Sequence, residues 1–163
     1  MFPGQYQLSF DPEALPKGFY LSSAMSGQQD MRKEGLRIGD HEGEIEILIS
    51  SGAGRVIGTV HDSVGQPVPE VRVVLIPPAG NRGAFTEIRT AVTDPAGRFT
   101  LANVPPGDYR IVSDLSRDVR LGTRYWESPD WLRQFEPHGR QLRVEVNGEA
   151  TLDIEHPSIV QRK

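Results

Sequence analysis

Residues 93–109 constrain this chain most. They read Thr-Asp-Pro-Ala-Gly-Arg-Phe-Thr-Leu-Ala-Asn-Val-Pro-Pro-Gly-Asp-Tyr. Asp94-Pro95-Ala96-Gly97 has the chemistry of a type I turn, with Asp first, Pro fixing φ at the second position and Gly fourth. Arg98-Phe99-Thr100-Leu101 then alternates polar and apolar, which predicts a strand with one buried face. Asn103-Val104-Pro105-Pro106-Gly107 must end it, because proline has no N–H to give a ladder. Tyr109-Arg110-Ile111-Val112 opens the next strand. Three strand starts and stops in so few residues leave no room for a helical domain.

The same pattern extends outward. Strands are expected at 55–62, 71–77, 86–93, 98–101 and 109–112, and a closing pair at 141–146 and 149–155 is expected to form a hairpin across Asn147-Gly148. Apolar residues on both faces of Val71, Val73, Val74, Leu75 and Ile76 place that run in the middle of a sheet. Seven strands with turns this close predict an all-β, seven-stranded Greek-key β-sandwich over 53–157, with 158–163 as a tail.

Residues 1–52 carry an echo of the second half. Strands are expected at 6–10, 19–21, 36–38 and 44–49, with 22–34 a polar loop. Leu15-Pro16-Lys17-Gly18-Phe19-Tyr20 aligns without a gap on Val104-Pro105-Pro106-Gly107-Asp108-Tyr109. Leu36-Arg37-Ile38 aligns on Leu142-Arg143-Val144, and 42–49 on 147–154. Self-similarity in this order is the mark of a repeat. The expectation is that 1–52 is a partial copy, the C-terminal half of a preceding sandwich repeat. Apolar residues such as Leu8, Phe10, Ile45 and Ile47 would then lack their own partners, so 1–52 should dock on the complete domain or pair with a second chain as a homodimer.

Composition narrows the function classes. The chain of 163 residues has no cysteine, and therefore neither disulfides nor thiol chemistry. Residues 1–52 hold four Lys/Arg against eight Asp/Glu, and 53–163 hold fourteen of each, so there is no basic stripe to favour nucleic acid. The longest apolar stretches fall far short of the roughly 18 residues of a membrane span. Met-Phe-Pro-Gly-Gln-Tyr at the start has neither the basic beginning nor the apolar run of a signal peptide.

Catalytic patterns are weak. His41, His61, His138 and His156 are scattered, and none has a second His one helical turn away, so neither a metal site nor a cofactor is expected. Ser22, Ser51 and Ser63 lack the Gly-x-Ser-x-Gly elbow of a nucleophile. Asp62, Asp94 and Asp108 sit at expected strand ends, where bonding to turn amides explains them better than calcium.

The stretch with functional promise is 124–135, which holds both tryptophans. Ser128-Pro129-Asp130 has the chemistry of a helix start, and a helix from 129 to 135 would align Trp131, Leu132 and Phe135. Tyr125, Trp126, Trp131 and Arg133 form a candidate ligand-binding set for a sugar or a protein partner. The competing reading is that these aromatics plug an open part of the sandwich, and it is preferred because such large side chains gain most from burial. Tyr109 and Tyr20 are expected to bond back to nearby backbone at the start of their strands.

Five motifs in order, 58–62, 65–69, 73–75, 93–99 and 104–109, resemble the carboxypeptidase regulatory-like domain. The resemblance implies a transthyretin-like (prealbumin-like) sandwich, often grouped with carbohydrate-binding-like folds, over about residues 54–155. It also implies non-catalytic work in bacterial tandem-repeat proteins, as spacer or adhesive module, with neighbouring repeats as partners and an extracytoplasmic location. A carbohydrate-binding module is the alternative. A transthyretin-related hydrolase comes third, since the Tyr-Arg-Gly-Ser ending of those enzymes is missing from Ser158-Ile159-Val160-Gln161-Arg162-Lys163.

Overall fold

The computed structural model describes residues 4–6, 11–34, 36–38, 44–81, 88–114 and 128–156. It is mostly β. Twelve strands in the described residues are β1 (Gly4–Tyr6), β2 (Phe19–Ser26), β3 (Gln29–Asp30), β4 (Leu36–Ile38), β5 (Ile45–Ser51), β6 (Gly54–His61), β7 (Arg72–Ile76), β8 (Arg89–Val92), β9 (Arg98–Val104), β10 (Gly107–Asp114), β11 (Arg140–Val144) and β12 (Glu149–Glu155). Two short helices, α1 (Met31–Glu34) and α2 (Pro129–Phe135), accompany them.

Two sheets make the C-terminal body. One has the order β11-β10-β7-β8 and is antiparallel throughout. The other is β12-β6-β9, in which β6 runs parallel to β12 and antiparallel to β9. Their facing sides share one core that includes Val56, Val60, Val73, Leu75, Phe99, Leu101, Ile111 and Val144. β7 lies inside its sheet with Val73 to Ile76 all buried, as its two-faced apolar run predicts. β9 alternates exposed and buried from Arg98 to Leu101, also as predicted.

The turn that organises the sequence is built as read. The Gly97 N–H donates to the Asp94 carbonyl at 2.8 Å, and the Asp94 carboxylate accepts from the amides of Ala96 and Arg98. Gly97 has φ +71° and a Cβ there would stand 2.6 Å from the Val60 carbonyl, so the position demands glycine. Pro105 and Pro106 mark the corner where the chain leaves the β9 sheet for the β10 sheet. The Tyr109 hydroxyl donates to the Pro105 carbonyl at 2.8 Å and pins that corner.

Three expectations need correction. First, 141–146 and 149–155 do not form a hairpin: β11 pairs with β10 in one sheet and β12 with β6 in the other. Asn147, at φ 53°, and Gly148 turn the chain between layers instead. The Asn147 amide donates to Gly52 and the Arg55 amide to the Gly148 carbonyl, which spends the turn's polar groups on β6 and its approach. Second, the matching pair in 1–52 also separates, β4 joining β1 and β5 joining β2. Third, 22–34 is not simply a loop. β2 continues to Ser26, with Ser22 as the extra residue of a bulge, and α1 buries Met31 completely. Of the strand expected at 6–10, residues 7–10, with Leu8 and Phe10, lie outside the described residues.

Residues 11–26 sit against the sandwich. Asn103, buried and at φ 53°, accepts from the Gly18 amide at 3.0 Å and donates to the carbonyls of Pro12 and Leu15 at 3.1 and 3.2 Å. The amides of Gly52 and Ala53 donate to the Gly18 carbonyl. One loop is thereby bonded to β9 on one side and to the entry of β6 on the other.

Candidate functional site

Helix α2 forms where the sequence placed it. The Ser128 side chain caps it by accepting from the Trp131 amide at 3.3 Å, Pro129 opens its first turn, and Asp130 pairs with Arg133. Trp131 is 8% exposed and Leu132 is buried, both against Val74, Ile76, Ile88 and Val112 on the outer face of the four-stranded sheet. The Phe135 ring stacks on the indole at a centroid distance of 5.0 Å. Fully burying side chains of this kind contributes about 1.5–3 kcal/mol each. Of the four residues proposed to bind a ligand, the structure therefore places Trp131 inward and Arg133 outward, with Arg133 held to Asp130. Tyr125 and Trp126 lie outside the described residues.

The histidines do not gather. His41 lies outside the described residues, and His138 is exposed after α2. His61 and His156 meet at one end of the sandwich, where the His156 amide donates to the His61 carbonyl. The His156 Nδ1 is 3.1 Å from the Ser113 hydroxyl. Strand alternation turns the neighbouring Asp114 to the opposite face, directly across from Arg72 in the ladder. Among the described residues, no three His, Asp or Glu cluster as a metal site.

The turn carboxylates behave as local chemistry. The Asp62 Oδ1 accepts from the amides of Val64 and Gln66, both at 2.9 Å. At Asp94 the Arg98 amide, foremost, then the Arg98 guanidinium and the Ala96 amide hold the carboxyl below the usual carboxylate range, against an opposing desolvation effect. Asp108 differs: it is exposed and lies 3.7 Å from Arg143 on the facing strand.

One surface feature went unread in the sequence and a second was read only in part. A cleft of about 230 Å³ opens where the N-terminal strands meet the sandwich, walled by Pro77, Pro78, Pro105 and Pro106, with Tyr20, Tyr109, Arg32 and Asp108 at its rim. Paired prolines at two strand ends were the available signal, but nothing in the sequence said the ends meet. The second feature is β5, where Ile45, Ile47, Leu48 and Ile49 are 41%, 47%, 51% and 44% exposed in a strand that pairs only with β2 among the described residues. Exposure of Ile45 and Ile47 was anticipated; that both faces of the strand stay open was not.

Comparison with known proteins adds the following. Among curated proteins, none matches the chain. Among solved structures, the TIE protein of Bacillus anthracis is similar at 12% identity and a TM-score of 0.41, covering 74% of this chain and 20% of its own. BcpA, the major pilin subunit of Bacillus cereus, is similar at 19% identity and 0.39, covering 69% of this chain and 31% of its own. The 5-hydroxyisourate hydrolase of Klebsiella pneumoniae is similar at 15% identity and 0.33, covering 63% and 84%. This chain thus spans about a fifth and a third of the first two, and at these scores none bears on what it does. The model of the carboxypeptidase regulatory-like domain family matches residues 55–117, from β6 through the end of β10, and that part of the chain is a carboxypeptidase regulatory-like domain.

Proposed function

We propose that this chain is a non-catalytic structural and interaction module of a larger exported bacterial protein, built on a transthyretin-like Greek-key sandwich, with 1–52 a partial copy of the same unit. The observation that carries the reading is Trp131. A scaffold needs its large aromatics as mortar, and Trp131 is 8% exposed beneath α2, covering an apolar sheet face. Export and a tandem context rest on the family resemblance.

Acrylamide quenching of Trp126→Phe protein, in which Trp131 is the remaining indole, tests the proposal. Weak quenching is expected, together with no signal from the unsubstituted chain on a glycan array. A collisionally open Trp131, or glycan binding lost in Trp131→Phe protein, would replace the scaffold with a carbohydrate-binding module.

A further inference from the structure

The exposed edge of β5 is shaped for a second copy of itself. We propose that two chains pair antiparallel through β5 about a two-fold axis between opposed Leu48 residues, joining two β3-β2-β5 sheets into one.

Three observations converge. The strand has apolar residues exposed on both faces, Ile45, Ile47 and Ile49 on one and Leu48 on the other, and a long apolar edge is a template for another strand. The backbone polarity fits as well. The Leu48 carbonyl accepts from the Ser22 hydroxyl of β2 at 3.1 Å, so the groups of Leu48 point inward and those of Ile47 and Ile49 point to the open edge. Setting Leu48 opposite Leu48 makes Ile47 and Ile49 the hydrogen-bonded pair and uses those open groups.

Overlap and charge together select this register. An axis perpendicular to the sheet requires opposed residues to share a face, so it passes between a residue and its own copy, and the central candidates are Glu46, Ile47, Leu48 and Ile49. Only Leu48, the midpoint of Ile45–Ser51, pairs all seven residues of the strand. Centring on Glu46 puts carboxylate against carboxylate, and centring on Ile47 puts Glu46 against Leu48. Centring on Leu48 puts Glu46 against Ser50, Ile47 against Ile49 and Ile45 against Ser51, with no like charges opposed. Edge pairing of one seven-residue strand buries less than the ~1,200–2,000 Å² of stable complexes, so association should be concentration-dependent. This pairing stands apart from the fate of Trp131, and either reading survives loss of the other.

Sedimentation velocity of the full chain over a rising concentration series should show monomer passing to dimer, and Leu48→Lys should hold it monomeric with an unchanged circular dichroism spectrum. The chain has no cysteine, so a single Leu48→Cys reports register: opposed residues of a non-hydrogen-bonded pair stand about 4.5 Å apart at Cα, within disulfide reach. Leu48→Cys should cross-link on mild oxidation and Ile45→Cys should not. A monomer at every concentration, a dimer indifferent to Leu48→Lys, or equal cross-linking of both cysteine variants would each overturn the proposal.

Discussion

Asn103 is the side chain on which the attachment of 11–26 to the sandwich turns, and its removal has a calculable cost. It is 7% exposed, and its amide makes three bonds to the loop. In Asn103→Gly the left-handed φ of 53° carries no strain and the side-chain bonds alone are lost. The Pro12 carbonyl keeps the Leu15 amide at 3.3 Å, so the loss concentrates on the Gly18 N–H and the Leu15 carbonyl. Both bonds are part-buried, so each is worth about 0.5–1.5 kcal/mol net, and the two together give about 1–3 kcal/mol. Asn103→Ala should cost about 1 kcal/mol more, because alanine has a Cβ in the left-handed region without the local bonding that asparagine uses there. For a chain of this size, the glycine variant should lower Tm by about 2–12 °C. Urea unfolding followed by circular dichroism measures the stability, and amide exchange at Gly18 measures the attachment. A Gly18 amide that remains protected in Asn103→Gly, with a stability change below about 0.5 kcal/mol, would refute the clamp. Equal stability of the glycine and alanine variants would refute the backbone part of the reasoning.

Other substitutions probe different joints. Trp131→Ala should cost about 3–5 kcal/mol by opening a cavity over Val74, Ile76 and Val112, whereas Trp131→Phe should cost far less, since the indole N–H is buried without a hydrogen-bond partner; thermal melts of the two variants decide it. Gly58→Ala should be among the most damaging single changes, because its Cβ would stand 1.9 Å from the Leu152 carbonyl and 2.9 Å from the Phe99 ring; a soluble variant with unchanged Tm would contradict the close parallel pairing of β6 and β12. Asp94 gives a pH signature. Its folded pKa lies below the ordinary value of 3.8, so its contribution is present above that pH and is lost as pH falls through the lower folded value. Melting curves of the parent and Asp94→Asn should therefore converge as pH drops below 3.8, and curves that stay parallel to pH 2 would dismiss the carboxylate's role.

What the sequence disclosed followed from local chemistry. The 94–97 turn, the alternation of β9, the two-faced burial of β7, the Pro corner with its tyrosine and the capped helix α2 each depend on residues within a few positions of one another, and each is present. The failures share one cause. Asn147-Gly148 has the chemistry of a hairpin, but the choice between folding back and crossing to the other layer is made by Gly52, Arg55 and Gly148, which the chain brings together from about ninety residues apart. Asn103 passed as the first residue of a breaker because its partners, Pro12, Leu15 and Gly18, are almost as distant. Trp131 was legible as a helix residue, and its burial followed from size; Val112 as part of its seat did not, since β10 reads as an ordinary alternating strand.

Counting covers explains why one surface remains. The three-stranded sheet is apolar chiefly on its inner side; around Ile57 its outer side carries ionic and polar pairs, Arg55 with Glu149, Thr59 with Asp153 and Arg98 with Asp94, so one covering layer suffices. The four-stranded sheet is apolar on both sides, with Val73, Leu75 and Ile111 facing in and Val74, Ile76 and Val112 facing out. It needs two covers, and α2 supplies the second. Helix α2, one part of the stretch read as a candidate binding site, is thus required by the pattern of β7 and β10. β5 has the same two-sided apolar pattern, yet its apolar residues remain about half exposed. Val64, Val92 and Val146 are exposed singly, whereas β5 gathers four exposed apolar residues in one strand, and that is where a partner has most to gain.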